Sequence, residues 1–331
     1  MSYRLKVLLL LLLSLTSVFF AEVISGSSKF FLYDVWGWIA VIPLYGLHTI
    51  VLLYIITTYV GNKKILFSTL YFAGVLFGLY EAYLTKVLWV GLTEDPIMFV
   101  GISVMDFIVL VFLWHPIFSF IIPSLVFEGF MTNSNNLFEG LPIKFKNLIN
   151  NKKNRIIIFV IIGLFLSFNS LGPTETLLSG FGTAFPILLI YYLLRKKDVH
   201  RKYSLNDVLP TKKQFVICIL LLITMYLIMG LAIVPEVMTF YNQLSIWVLY
   251  LLFGFVFYLK LKHNKKEDET ISKKIHLKSN GMVIYLIIIV LSGTIFITLF
   301  WLLGIQNIVM VITWILWMVL GMYLLVYSLF R

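Results

Sequence analysis

The chain has 331 residues, 61% of them hydrophobic and 12% charged, with mean hydropathy +0.99 and formal net charge +11. A soluble domain carries about 25% charged residues, so these values exclude a water-facing globule and make lipid the solvent for most of the chain. The positive charge does not point to nucleic acid, because Lys and Arg stand in loops beside apolar runs, where they orient the chain and meet anionic headgroups.

Crossing a hydrocarbon core of about 30 Å takes roughly 20 helical residues. Helices satisfy their own backbone groups in lipid, whereas a β-barrel would show short segments of alternating polarity. The unbroken apolar runs at 156–166 and 283–291 are of the first kind. The first stretch, 5–24, follows Arg4 and Lys6 and resembles the basic and apolar regions of a signal peptide. Small residues before a cut are poor, with Phe19 two positions ahead of Ala21, so an uncleaved signal-anchor is expected. Cleavage would leave nine spans with the same orientation.

The second span, 35–60, contains His48, and the third, 65–90, contains Glu81 and Lys86. Within the third, Gly74, Gly78, Glu81 and Thr85 fall on one helical stripe. Gly74-x-x-x-Gly78 lets a second helix approach closely, which turns Glu81 towards protein. The fourth span, 97–117, carries Asp106 and His115. Its apolar character continues to residue 127 but is interrupted by Pro116 and Pro123, each lacking a backbone donor. A helix to about residue 115, then an interfacial or re-entrant piece at 117–127, is expected. A polar connection, 128–155, follows. The remaining spans are expected at 156–171, 176–194, 215–234, 244–261, 282–303 and 308–329, with a charged connection at 262–281. The single cysteine, Cys218, excludes an intramolecular disulfide and any multi-Cys metal site.

The loops test this count. Basic residues fill 61–64, 144–155, 195–214 and 260–281, whereas 91–96, 172–175 and 235–243 carry Glu94, Asp95, Glu175 and Glu236. Basic and acidic loops alternate, so the positive-inside rule places both termini in the cytoplasm. The fold class is therefore an all-α, polytopic transmembrane bundle of about ten spans, one domain, in a plasma membrane. Its expected partners are membrane lipids, with anionic headgroups at the Lys-rich cytoplasmic loops. No cofactor is implied, and no oligomeric state can be read from the chain.

An ionisable group inside a span costs about 2.5–3.5 kcal/mol. Glu81 precedes the turn at Gly91 by ten residues, and Asp106 follows Pro96 by ten, so both are expected ~15 Å below the outer surface. His48 is twelve residues from Trp36, ~18 Å down. Two carboxylates at one depth would share a proton or hold a cation, and an imidazole beside them would accept a proton near neutral pH. Glu81, Asp106 and His48 are thus the candidate substrate- or proton-binding residues. The bland reading is structural: hydrogen-bonded packing groups, with Lys86 snorkelling to the interface. Lys86, His115 and Asn169 are weaker candidates.

Familiar catalytic signatures are missing: no H-E-x-x-H, no G-x-S-x-G, no P-loop and no dense Asp cluster for Mg²⁺. Three functions fit what remains. The first is secondary transport of a small molecule or ion through the midplane carboxylates. The alternatives are a non-catalytic membrane subunit or assembly factor, and a membrane-embedded lipid- or prenyl-modifying enzyme.

Overall fold

A computed structural model describes residues 1–168, 170–197, 199, 202–266 and 281–331. Among these, eight helices are long and apolar enough to cross a membrane. They are α1 (Tyr3–Val23), α2 (Gly37–Val60), α4 (Val104–Met131), α7 (Pro173–Lys196), α8 (Lys212–Ala232), α9 (Phe240–Asn264), α10 (Gly281–Leu303) and α11 (Gln306–Leu329). The other helices used below are α3 (Phe67–Gly78), α5 (Ile143–Asn150) and α6 (Lys152–Phe168). Two of the ten expected spans are not among the eight: α6 is only 17 residues long, and the third segment is broken.

That break corrects the expected continuous span at 65–90. Helix α3 stops at Gly78, short helical turns follow at Tyr80–Tyr83 and Val87–Val90, and Lys86 between them takes a left-handed φ of 65°. Side chains replace the lost intrahelical bonds. The Thr85 hydroxyl donates to the Glu81 carbonyl at 2.9 Å, and Lys86 Nζ donates to the Tyr83 carbonyl at 2.9 Å. Broken backbone is tolerated at membrane depth only with such substitutes.

The fourth span also departs from expectation, at both ends. Residues 98–103 form a hairpin, β1 (Met98–Phe99) with β2 (Ile102–Ser103), and the helix begins only at Val104. Val100 and Gly101 both have positive φ, as a tight hairpin turn requires. Beyond the hairpin, α4 runs unbroken to Met131 through both prolines, with no re-entrant piece at 117–127. In an α-helix a proline leaves the carbonyl four residues earlier without its donor. For Pro116, inside a π-helical stretch, the carbonyl about one turn back is Phe112, which accepts from the Tyr71 hydroxyl at 2.7 Å. For Pro123 it is Ser119, which accepts from Ser17 Oγ at 2.6 Å. Neighbouring helices supply what the prolines remove, and residues 107–121 relax into π-helix.

The expected polar connection at 128–155 holds the end of α4, a short turn at Asn136–Glu139, α5 and the start of α6. Of the connection expected at 262–281, residues 262–264 belong to α9, and 267–280 lie outside the described residues.

Helices α1, α2, α3 and α4 form the centre. The apolar stretch of α4 is 78% buried, against 11% for α8. Outer helices of this kind turn hydrophobic side chains to lipid, as a membrane bundle allows. The Gly74/Gly78 stripe of α3 lies against α4, and a Cβ at Gly78 would stand 3.0 Å from the Val111 Cα. Helices α6 and α10 meet through Gly163 and Gly293 in the same way.

Loop contacts fall into two groups. In one, the Ile65 N–H donates to Asn136, the Asn133 N–H to Tyr203, and Lys63 Nζ to the Lys265 carbonyl. Lys260 Nζ reaches the Leu329 carbonyl, and the amino terminus lies near Asp207, so both chain ends share this basic side. In the other group, Lys29 pairs with Glu175 at 3.1 Å, Ser245 Oγ donates to Val100, and Gln306 donates to Phe168 and Ser170.

Candidate functional site

The central helices enclose a polar network. Glu81, 7% exposed on the turn after the α3 break, accepts the Thr85 hydroxyl and lies 2.8 Å from His115 Nε2. His115, 1% exposed in the π-helical stretch of α4, places Nδ1 2.9 Å from Ser119 Oγ. Ser17 joins from α1, with Oγ 3.2 Å from Thr49 Oγ1 and donating to the Ser119 carbonyl.

A second carboxylate completes the arrangement. Glu22 sits in the π-helical turn that ends α1 and accepts the Tyr45 hydroxyl. Tyr45 OH is 2.6 Å from Tyr80 OH, and Tyr80 is the residue next to Glu81 in the same helical turn. Hydrogen bonds thus join Glu22, Tyr45 and Tyr80 in one segment and Glu81, His115 and Ser119 in another, the two meeting where Tyr80 and Glu81 are neighbours in the chain, and each of these groups can give or take a proton. The backbone leaves regular α geometry where it carries them: Glu22 and His115 lie in π-helical stretches, and Tyr45 follows one at 37–41. Such bulges occur frequently at functional sites.

The sequence candidates divide accordingly. Glu81 and His115 come together, but Asp106 is not with them. It lies in the first turn of α4, accepts Ser103 Oγ at 2.5 Å and the Leu92 N–H at 3.2 Å, and ties down the loop before the hairpin. The hairpin consumes the residues that would have carried Asp106 deeper. His48 sits one aromatic layer from the chain, stacked on Phe77 at 4.6 Å between centroids. Its Nδ1 is 2.8 Å from the Leu44 carbonyl, an acceptor only, which leaves Nε2 to accept the Tyr226 hydroxyl at 2.9 Å in the neutral ring.

Lys86 neither snorkels nor pairs with Glu81. It is 1% exposed, and Nζ also donates to the Gly230 carbonyl at 2.8 Å, near the C-terminal end of α8 where a cation is favoured. Asn169 lies outside the described residues.

Sequence reasoning missed Glu22, Tyr45, Tyr80 and Glu128. Glu22 was inside the expected 5–24 span yet close enough to its end to pass as interfacial. Glu128 stands one residue past the expected 117–127 piece. No group of three or more His, Cys, Asp or Glu suited to a metal occurs among the described residues.

Residues 10–331 match a family model described as an uncharacterized membrane protein family, and the chain belongs to that family. It is similar to a protein of Archaeoglobus fulgidus described as "Uncharacterized protein", 34% identical over 274 residues, which span 81% of this chain and 82% of that one. No solved structure matches. Family and apolar helices together make this a multi-pass membrane protein.

Proposed function

We propose that this family member is a proton-coupled secondary transporter of a small molecule or ion, with Glu81–His115 as its proton-binding centre. We place it in the plasma membrane with the basic loops and both termini in the cytoplasm, following the positive-inside rule. The observation that carries the reading is the pair of buried hydrogen-bonded segments, Glu22–Tyr45–Tyr80 and Glu81–His115, which adjoin at Tyr80 and Glu81 where the third segment is discontinuous. Discontinuous helices are where many transporters bind substrate and coupling ions.

The hydroxyl chain supplies a mechanism. With Glu22 ionised, Tyr80 donates to Tyr45 and Tyr45 donates to Glu22. With Glu22 protonated, every donor reverses: Glu22 donates to Tyr45, Tyr45 to Tyr80, and Tyr80 to Glu81. A concerted shift along this reversed chain moves one proton from Glu22 to Glu81, and each tyrosine ends neutral. His115, as the neutral tautomer with its proton on Nδ1 towards Ser119, then accepts the proton from Glu81 at Nε2, and the imidazolium pairs with the carboxylate left behind. Two carboxylates around one imidazole cannot all hold charge cheaply in so dry a place, so the number of bound protons responds to any solute that enters.

The test is a pH gradient across pyranine-loaded proteoliposomes, challenged with amino acids, sugars and inorganic ions. At least one solute should dissipate the gradient with the wild-type chain. Glu81→Gln and Glu22→Gln should slow that flux by at least ~100-fold, and Tyr45→Phe should slow it too. Wild-type flux in Glu81→Gln, or no flux with any solute, would defeat the proposal. Lipid turnover in detergent without a gradient would favour the membrane-embedded enzyme, and a stoichiometric co-purifying protein the subunit.

A further inference from the structure

An apolar crevice of about 720 Å³ lies between α4, α5, α6 and α11. Leu113, Ile121, Phe145, Phe165, Trp317 and Leu320 are among its walls. Leu320 is 44% exposed, so the crevice opens sideways to the surroundings of the bundle. Among its described lining residues, Arg155, Tyr285, Thr313 and the indole N–H of Trp317 are the polar groups. Thr313 spends its hydroxyl on the Val309 carbonyl at 2.8 Å. Arg155 is different. Its Nε donates to Tyr285 OH at 2.9 Å, and its Nη1 to the Ile149 and Asn150 carbonyls at 2.8 and 3.3 Å. Among the described residues Nη2 has no hydrogen bond and no carboxylate pairs with the guanidinium.

We propose that this crevice binds one anionic phospholipid, its acyl chain between α6 and α11 and its phosphate on Arg155. Three observations support the occupant. Arg155 and Phe165 are ten residues apart on α6, ~15 Å of helix, which is the hydrocarbon depth of one leaflet. Among the described residues no carboxylate pairs with Arg155, and Lys152 and Lys153 on the same helix and Lys144 on α5 are exposed. Helix α5 frames the entrance, with Phe145 on the crevice and Lys144 exposed, as an interfacial helix is built. This site is separate from the Glu81–His115 centre and stands or falls independently of it.

The experiment is native mass spectrometry of the delipidated full chain in detergent. The probes are phosphatidylglycerol and phosphatidylcholine with identical chains, with glycerol phosphate as competitor. The wild-type chain should take up one phosphatidylglycerol about tenfold more tightly than phosphatidylcholine. Arg155→Gln should abolish that preference. Leu320→Trp, which fills the crevice and keeps the charge, should weaken phosphatidylglycerol binding by about tenfold. Glycerol phosphate should displace nothing. Equal binding of the two lipids, a preference that survives Arg155→Gln, unchanged binding in Leu320→Trp, or displacement by glycerol phosphate would each overturn the site. Should Arg155→Gln fail to fold for want of its carbonyl contacts, the wild-type preference and Leu320→Trp decide the matter.

Discussion

Glu128 is fully buried near the end of α4, and its carboxylate accepts the backbone N–H groups of Leu137 and Phe138, each at 3.1 Å. Those donors open the short helix at Asn136–Glu139 and have no partner within it. Glu128→Ala should therefore lower stability by about 3 kcal/mol, and Glu128→Gln, which keeps an acceptor oxygen, by about 1 kcal/mol. Thermal unfolding in detergent followed by circular dichroism measures both; equal midpoints for the two variants would mean the carboxylate caps nothing. Glu81 has comparable burial but a different partner, an imidazole that can share its proton. Removing either member of a buried pair strands the other at a cost of about 3–5 kcal/mol. Glu81→Gln and His115→Gln should each destabilise, and the double variant should cost at least ~1 kcal/mol less than their sum. Additive costs would show that the two side chains do not act as a pair. That Glu81 is buried was legible in the sequence, because it interrupts an apolar run beside a glycine stripe, whereas His115, next to Trp114 and Pro116, reads there as interfacial and is instead 1% exposed. Their pairing was not legible. Depth along an axis can be counted from residue numbers, but it assumes regular helices, and the hairpin at 98–103 had already moved Asp106 to the head of α4.

At the scale of elements, α3 and α4 are fitted to each other by backbone approach. A Cβ on Gly74 would run into the Cα of Pro116, whereas one on Gly254 of α9 would meet nothing within 4 Å. Gly74→Ala should lower stability by about 1–3 kcal/mol through overpacking. Gly254→Ala should leave it unchanged or raise it by up to ~1 kcal/mol, since alanine is the better helix former. Matching losses in thermal midpoint would indicate that the α3–α4 contact is no tighter than the exposed surface of α9. The small-residue stripe behind this prediction was legible, because glycines four apart mark a close crossing whatever the neighbour is. The continuity of α4 was not legible. Whether a proline breaks a membrane helix depends on who answers the freed carbonyl, and the answers come from Tyr71 and Ser17 on other helices. The break after Gly78 was hidden for the converse reason: no proline or glycine follows until Gly91, and Lys86 and Thr85 repair the backbone locally.

For the whole molecule, the decisive feature is the sorting of its loops. Contacts gather 61–66, 132–142, 202–205 and 264–266 at the end that holds both termini, and 29, 100, 170 and 175 at the other. The first group is rich in lysine, and the positive-inside rule assigns it to the cytoplasm. With Cys218 replaced by alanine, Lys63→Cys should react with a membrane-impermeant maleimide only after cells are opened, and Glu94→Cys should react in intact cells. Labelling of both from one side would dismantle the bundle's topology. Labelling in the reverse order would leave the fold standing and turn it over. The Arg155 crevice would then face the outer leaflet, away from the anionic lipids of the cytoplasmic one, and Glu22 would lie towards the cytoplasm. The contacts Glu22–Tyr45–Tyr80 and Glu81–His115 would be unchanged, because hydrogen bonds do not depend on which face is which. Orientation therefore sets the compartments that the chain connects, and the internal geometry sets whether it can carry a proton.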